Sequence, residues 1–164
     1  MIRSHKITYM RYLVIAVAVI VLDQLSKQLI EHWLTPYQPF TITPFFNLTL
    51  MYNTGAAFSF LSDAGGWQRW FFILLSSLVS LIIIGWLYKL SQHRDERWAA
   101  LALSLILGGA IGNLIDRILF GKVIDFLYFY YQAFHWPTFN LADSAITVGA
   151  VLLAIDAIFR SRKL

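Results

Sequence analysis

The chain has 164 residues, of which 59% are hydrophobic and only 13% are charged, and its formal net charge is +4. Soluble domains average about 25% charged residues, so this composition excludes an ordinary soluble protein and indicates an integral membrane protein. The sequence contains no cysteine, which excludes disulfides, thiol nucleophiles and thiolate metal sites.

Four apolar runs approach the roughly 20 residues that a helix needs to span a bilayer. We predict helices over residues 12–30, 70–88, 98–115 and 141–159. Because these helices occupy most of the chain, we predict a single integral membrane domain over residues 1–164, without a separate soluble domain.

Basic residues cluster at three points: before the first helix, between the second and third, and after the fourth. The clusters are Arg3, Lys6 and Arg11; Lys89, Arg94 and Arg97; and Arg160, Arg162 and Lys163. All three fall on one side of an even-numbered bundle, and the positive-inside rule makes that side cytoplasmic. We therefore predict that both termini are cytoplasmic. The positive charge lies where anionic lipid headgroups are, so it requires no nucleic-acid partner.

In the first predicted helix, Asp23 and Lys27 lie one turn apart. An i, i+4 pair of opposite charge is the simplest interpretation of both residues. Asp156 and Arg160 repeat this spacing at the predicted cytoplasmic end of the fourth helix, and we interpret them as a structural pair.

Between the first two helices, residues 46–53 alternate apolar and polar side chains, which predicts a strand with one apolar face. Its place on the outer side predicts a small extracytoplasmic sheet. The segment NTGAAFS begins at Asn53, and Gly55 breaks the alternation there, which suggests a bulge or a close approach of the backbone. The segment is either an ordinary loop or an edge that holds an extended peptide by strand addition.

The third helix ends in the polar sequence LGGAIGNLIDR. Its glycines have the small-residue spacing that lets helices pack closely, namely Gly108, Gly109 and Gly112. Asn113 and Asp116 share a helix face with Gly109, and Arg117 lies four positions after Asn113. A simple charge pair between Asp116 and Arg117 at the helix end is the alternative interpretation of those two residues.

Two further carboxylates lie among apolar residues, Asp125 in GKVIDF and Asp143 in FNLADSAI. An ionisable group at membrane depth costs roughly 2.5–3.5 kcal/mol, so each is a candidate functional residue. Asn140 and Asp143 also fit a capping box, with Asn140 as N-cap and Asp143 at the third helical position. Capping does not explain why Asp23 and Asp116 are predicted near the same outer interface as these two acids.

Five short motifs, taken in order, resemble lipoprotein signal peptidase, the signal peptidase II of bacteria. They are Asp23 with Lys27, NTGAAFS from Asn53, GGAIGNLIDR from Gly108, VIDF around Asp125, and FNLADSAI from Phe139. Each motif is weak by itself, but five in the same order on a four-helix frame make a chance similarity improbable. The expected fold is an all-α membrane protein with four transmembrane helices and a small extracytoplasmic β-sheet.

The resemblance implies an aspartic endopeptidase of the bacterial inner membrane. Such an enzyme removes signal peptides from lipid-modified prolipoproteins and cuts just before the diacylglyceryl cysteine. Asp125 and Asp143 correspond to its catalytic dyad, and two carboxyls that share a water favour the acid–base split this chemistry needs. The resemblance implies supporting or substrate-binding roles for Asp23, Lys27, Asn53, Gly55, Asn113, Asp116, Arg117 and Asn140. It also implies a monomer among membrane lipids, with no metal or organic cofactor.

Two other classes of protein remain as alternatives. Intramembrane carboxylates also serve proton relays and ion sites, so a proton-coupled transporter or channel is one alternative. Carriers usually place such sites near the midplane, often in repeated halves, whereas these acids cluster toward one side and no repeat is visible. The other alternative is a non-catalytic scaffold whose polar residues only join helices.

Overall fold

Four long helices dominate the computed structural model, which describes residues 2–55, 65–92 and 96–161. The helices are α1 (Ile2–Trp33), α2 (Trp67–Leu90), α3 (Arg97–Phe120) and α4 (Leu141–Ser161). Each contains a stretch that is long and apolar enough to cross a membrane. The prediction of four membrane-spanning helices is confirmed.

The helices extend beyond the apolar runs that predicted them. At the end of α3 the additional residues include Asp116 and Arg117. That helix continues to Phe120 and ends at Gly121, whose φ of 74° is in the left-handed region that favours glycine. The hydropathy signal stops near residue 115 because charged residues begin there. The helix nevertheless continues, so Asp116 and Arg117 are held on a rigid element.

A small antiparallel sheet of four strands accompanies the helices in the described part of the chain. The strands are β1 (Pro39–Thr43), β2 (Phe46–Asn53), β3 (Val123–Tyr131) and β4 (Phe134–His135), in the spatial order β1-β2-β3-β4. The sheet lies at the end of the bundle where α1 and α3 end and α2 and α4 begin, since its strands connect those ends. The predicted sheet is therefore present, and β3 adds a strand that carries Asp125.

The predicted strand at residues 46–53 is confirmed. Its polar face is not simply exposed, because Asn47 and Thr49 are buried along with the apolar Leu50. The pairing with β3 shifts register between Leu48 and Met51, so the simple alternation of buried and exposed positions is interrupted there.

Helix α3 is the centre of the bundle. Within its most apolar window 56% of the residues are buried, against 11–22% in the corresponding windows of the other three helices, where most residues are therefore not buried by the rest of the protein. Glycines allow the close contacts: a Cβ on Gly108 would lie 2.6 Å from the Cβ of Val19 and 2.8 Å from the backbone oxygen of Ala16 on α1. The packing role predicted for this glycine agrees with that contact.

The opposite end of the bundle carries basic residues. Lys89 near the end of α2, Arg97 at the start of α3 and Arg160 near the end of α4 all belong to that end. Arg160 pairs with Asp156 at 2.8 Å and with Glu96 at 2.5 Å, so the predicted structural pair on α4 is confirmed. Arg160, Asp156 and Glu96 thus pair with one another at this end, away from the sheet.

Candidate active site

Asp125 and Asp143 are brought to one place by two different elements. Asp125 lies near the start of β3 and is only 2% exposed, whereas Asp143 lies in the first turn of α4 and is half-buried. A strand and a helix N-terminus both hold their side chains at well-defined positions. The two candidate acids are therefore supported by rigid backbone rather than by loops.

The side chain of Asn140 joins the two acids. Its Nδ2 donates a 2.7 Å hydrogen bond to Oδ1 of Asp125, and its Oδ1 accepts a 2.9 Å bond from the backbone N–H of Asp143. The backbone N–H of Asn140 in turn donates to Oδ2 of Asp143 at 3.2 Å. These bonds form the predicted capping box, and the same asparagine contacts both acids.

The direction of the Asn140 amide is fixed by its neighbours. A backbone N–H can only donate, so the atom facing the N–H of Asp143 must be oxygen. The backbone oxygen of Ile124 lies 3.2 Å from Nδ2 and can only accept, which requires the same orientation. Asp125 therefore faces an N–H donor.

Asn113 donates a hydrogen bond to Asp143, as Asn140 does to Asp125. Its Nδ2 donates to Oδ1 of Asp143 at 2.7 Å, and its Oδ1 accepts a 2.9 Å bond from the ammonium of Lys27. An ammonium has donors and no acceptor, so Lys27 forces the oxygen of this amide toward itself and the N–H₂ group toward Asp143. A buried cation on α1 thereby sets the hydrogen bonding of an acid on α4.

Lys27 belongs to a cluster of three buried charges. Its ammonium lies 2.7 Å from Asp23 and 2.8 Å from Asp116, and all three side chains are at most 1% exposed. The i, i+4 pair predicted for Asp23 and Lys27 is present, but it forms part of a larger arrangement. Breaking a buried pair by removing one partner leaves an uncompensated charge, which destabilises a protein by about 3–5 kcal/mol.

Each acid of this cluster also holds the backbone next to one candidate catalytic acid. Asp23 accepts a 2.9 Å hydrogen bond from the N–H of Ala142, the residue before Asp143. Asp116 accepts a 3.2 Å bond from the N–H of Ile124, the residue before Asp125. The cluster therefore fixes the backbone on both sides of the candidate site.

Gln24 is a member of this network that the sequence did not reveal. Its Nε2 lies 2.8 Å from Oδ1 of Asp116, 3.2 Å from the backbone oxygen of Gly112 and 3.3 Å from Oδ2 of Asp23. Charged pairs can be recognised in a sequence by their i, i+4 spacing, but an uncharged amide has no such spacing that would indicate its partner. The available signal was its position between Asp23 and Lys27, in the polar part of a mostly apolar helix.

Asn53 and Arg117 complete the other side of the site. Asn53 donates to Oδ2 of Asp125 at 3.0 Å, and its own Oδ1 accepts the N–H of Gly55 at 2.9 Å. Arg117 donates to the backbone oxygen of Gly55 at 2.8 Å, while its guanidinium lies over the ring of Phe72.

The alternative of a simple Asp116–Arg117 pair is wrong, because Asp116 pairs with Lys27 and Arg117 donates to Gly55. Residues 56–59 of the NTGAAFS motif lie outside the described residues.

All ten residues predicted for the site are thus connected through these hydrogen bonds and ion pairs. They are Asp125, Asp143, Asp23, Lys27, Asn53, Gly55, Asn113, Asp116, Arg117 and Asn140. They come from α1, the end of β2, α3, β3 and the start of α4.

The environment of Asp125 brings its titration close to neutral pH. Burial, and to a smaller extent the nearby charge of Asp143, raise its pKa from 3.8 to about 7. Hydrogen bonds from Asn53 and Asn140 oppose this shift, because they stabilise the carboxylate. A carboxyl that holds a proton near neutral pH can act as a general acid.

In the parts of the chain that the structure describes, no group of three or more His, Cys, Asp or Glu side chains is arranged to hold a metal ion. Asp23 and Asp116 are both paired with the ammonium of Lys27. Asp125 and Asp143 are carboxyls of the kind that perform acid–base chemistry.

A groove of about 820 Å³ opens beside Asp143. Its walls are the aromatic hairpin of β3 and β4 on one side and one face of α4 on the other. Phe45, which follows β1, and Phe139, which precedes α4, also line it. The groove gives a large apolar ligand access to one member of the carboxyl pair.

Comparisons with known proteins find similar sequences in one family. A family model described as signal peptidase (SPase) II matches residues 15–159. The chain is 51% identical over 160 residues to a lipoprotein signal peptidase of Cupriavidus pinatubonensis, which covers 98% of this chain and 89% of that protein. It is 54% identical over 154 residues to one of Pseudomonas aeruginosa, with coverage of 93% and 89%.

Two solved structures of bacterial membrane enzymes share the fold. The first has a TM-score of 0.80 and 30% sequence identity, and the match covers 92% of this chain and 89% of that one. The second has a TM-score of 0.73 and 32% identity, with coverage of 88% and 90%.

Proposed function

The chain belongs to the signal peptidase II family, and we propose that Asp125 and Asp143 are the catalytic pair with which it hydrolyses its substrate. The protein is a peptidase of the bacterial inner membrane that cleaves signal peptides from prolipoproteins. The alternative of a transporter or channel finds no support among these relatives. The bond cut, in this proposal, is the one immediately before a diacylglyceryl-modified cysteine.

The observation that carries the catalytic assignment is the bridge made by Asn140. One amide contacts Oδ1 of Asp125 and the backbone N–H of Asp143, and Asp143 also lines the groove. Two carboxyls that share a water cannot both ionise easily, which favours one proton on the pair. That single proton is what an aspartic peptidase requires.

Burial and the helix dipole support different roles for the two acids, whereas hydrogen bonds do not separate them, since each acid accepts a bond on both oxygens. Asp125 is only 2% exposed and its pKa is raised to about 7 chiefly by burial, so we assign it the proton and the role of general acid. Asp143 is less buried and lies at the positive end of the α4 dipole, which stabilises a carboxylate. We therefore assign Asp143 the role of base.

The reaction then proceeds in two balanced steps. Asp143 takes a proton from a water molecule while the water oxygen attacks the scissile carbonyl carbon, and Asp125 gives its proton to the carbonyl oxygen. The tetrahedral intermediate is a neutral diol. In the second step, the carbon–nitrogen bond breaks, the leaving amine takes the proton from Asp143, and a diol hydroxyl returns a proton to Asp125. Both acids end in their starting states.

We further infer the orientation of the protein in the membrane. Lys89, Arg97 and Arg160 lie at the end of the bundle opposite the sheet, and an excess of basic residues is typical of the cytoplasmic side. Both termini are then cytoplasmic, and the carboxyl pair faces the extracytoplasmic side. A substrate arrives there in the plane of the bilayer, concentrated by its own membrane segment and its lipid. In this proposal the protein acts as a monomer.

The test is purified protein in lipid bilayers with a lipidated prolipoprotein, scored by mass spectrometry for a single cut before the modified cysteine. We expect Asp125→Asn and Asp143→Asn each to lose nearly all turnover and still bind substrate, with the double variant no worse than either single variant. Asp156→Asn, an acid at the other end of the bundle, is the control and should remain active. Substantial turnover by either purified variant removes that residue from the pair.

A further inference from the structure

The groove beside Asp143 is lined mainly by aromatic and apolar side chains. Its main walls are Phe129, Tyr131, Phe134 and Trp136 on the hairpin, and Thr147 and Val148 on α4. Thr147 and Val148 lie about one turn further along the candidate membrane span of α4 than Asp143, so the groove extends from Asp143 along that span. One end of the groove thus holds a proposed catalytic acid, and the other follows the apolar surface of α4.

Three backbone N–H groups along the aromatic wall are already paired within the protein and are not available to a bound peptide. The N–H of Tyr130 donates to Phe45, that of Trp136 donates to Phe129, and that of Phe139 donates to Leu127. Peptide C=O groups buried against these positions would lack a donor, which costs about 1–3 kcal/mol for each buried group. A hydrocarbon chain has no such groups.

The position of the groove next to Asp143 also favours the lipid of the substrate over its signal peptide as the ligand of the groove. The apolar part of a signal peptide is separated from the cleavage site by a stretch of small residues, so it lies some distance from the carboxyl pair. The lipid of the substrate is attached to the residue directly after the scissile bond, and its chains begin beside that bond. A groove that begins at Asp143 itself matches the position of the lipid.

We propose that the groove between the β3–β4 hairpin and α4 receives an acyl chain of the lipid carried by the substrate cysteine. The proposal rests on the proposed function and adds where the lipid is recognised. An acyl chain in a bilayer is already out of water, so the groove gains little hydrophobic free energy by taking it up. Its contribution is alignment: a seated chain fixes the cysteine, and with it the scissile bond, relative to Asp143.

Two valines on α4 allow a matched test. Val148 lines the groove and is 51% exposed, whereas Val151 is 53% exposed, lies about one turn deeper and is not part of the lining. Val148→Trp fills the groove, and Val151→Trp places the same bulk on lipid-facing surface. Each variant is assayed in nanodiscs with one prolipoprotein peptide carrying either two palmitoyl or two hexanoyl chains.

With the dipalmitoyl substrate, we expect Val148→Trp to lower kcat/KM by about ten- to a hundredfold and Val151→Trp to change it less than about twofold. With the dihexanoyl substrate, the loss caused by Val148→Trp should be much smaller, because short chains do not fill the groove. An equal loss with both substrates would place the signal peptide in the groove and overturn the proposal, as would no loss at all. Cleavage by the unaltered protein in the same assay reports on the proposed function separately.

A direct measurement covers the case in which both tryptophan variants lose activity through misfolding. A dilipidated peptide with a diazirine at the end of one acyl chain is bound to Asp143→Asn protein and photolysed. Crosslinks to Phe134, Trp136 or Val148 are expected. Crosslinks confined to α1 or α2, or to bilayer lipid, would overturn the assignment of the groove.

Discussion

The ammonium of Lys27 donates a 2.9 Å hydrogen bond to Oδ1 of Asn113, and the amide nitrogen of the same asparagine donates to Asp143 at 2.7 Å. This relay makes the hydrogen bonding of a candidate catalytic acid depend on a charge in another helix. Because two residues form this relay, two substitutions can test two roles separately. One role is support of the fold and the other is support of the chemistry.

Asn113→Asp tests the chemistry alone. The new carboxyl can still accept the Lys27 bond, but it offers no N–H to Asp143 and adds a negative charge beside it. We expect turnover to fall by at least about a hundredfold, comparable to the loss of one catalytic hydrogen-bond donor. The unfolding midpoint in detergent should change little. Near-normal turnover would contradict the relay.

Lys27→Met tests the fold. Without the ammonium, Asp23 and Asp116 become buried acids without a cation, so we expect a loss of about 3–5 kcal/mol of unfolding free energy, measured by chemical denaturation in micelles. Adding Asp116→Asn to the same protein removes one of the two unpaired charges and should restore part of the stability. A Lys27→Met protein as stable as the unaltered one would show that the cluster does not support the fold.

The pH dependence of turnover should report on Asp125. Because burial raises its pKa to about 7, the general acid loses its proton above that pH, and kcat/KM should fall with a slope of one. Asn53 donates to the carboxylate form, so Asn53→Ala should move this alkaline limb to higher pH. An alkaline limb unmoved by this substitution would mean that another group controls it.

The same proton affects stability. The pKa of Asp125 in the folded protein, about 7, lies above its ordinary value of 3.8, so the folded state holds the proton more tightly than the unfolded state. The stabilising contribution is complete below pH 3.8 and is lost as the pH rises through about 7. Asp125→Asn should remove this part of the dependence, which denaturation at several pH values between these limits measures.

Two glycines give opposite predictions for helix packing. A Cβ at Gly108 would meet Val19 and the backbone of Ala16, whereas nothing lies within 4 Å of a Cβ at Gly85. Gly108→Ala should therefore destabilise the protein by about 1–3 kcal/mol, and Gly85→Ala should be neutral or stabilising by up to about 1 kcal/mol. Gly108→Ala should also reduce turnover, because pushing α1 from α3 separates Lys27 from Asn113. Equal stability of the two variants would contradict this account.

Reporter fusions test the proposed orientation. A reporter after Leu90 or at the C-terminus should read cytoplasmic, and one inserted at His135 should read extracytoplasmic. A second outer position, Asp63, lies outside the described residues, so His135 is the better choice. An extracytoplasmic C-terminus would reverse the membrane orientation and place the carboxyl pair on the cytoplasmic side.

Much of the fold could be predicted because its cause is local. Runs of apolar residues predict the four helices directly, and the capping box at Asn140 follows from residue types three positions apart. The strand β3 was missed because its sequence VIDFLYFYY is apolar on both faces, so it shows no alternation. Only the position of Asp125 within it drew attention.

The pairings within the site could not be predicted from local pattern. Whether Asp116 binds Lys27 or Arg117 depends on how closely α1 approaches α3, which the glycine contacts determine in three dimensions. The contribution of Gln24 was missed for the same reason, since its partners lie on another helix. Residue types identified the members of the site, and helix packing decided which of them touch.

The contact between Asp23 and the N–H of Ala142 has a consequence for how the protein is made. Lys27, Asp23 and Asp116 all belong to α1 and α3, so their cluster can assemble as soon as those helices have been synthesised and inserted. Asp143 belongs to α4, which is synthesised after α1 and α3. When α4 packs against them, its Ala142 N–H donates a hydrogen bond to Asp23. With the catalytic pair proposed above, we expect a chain that lacks α4 to have no peptidase activity, and activity to begin when α4 docks against α1 and α3.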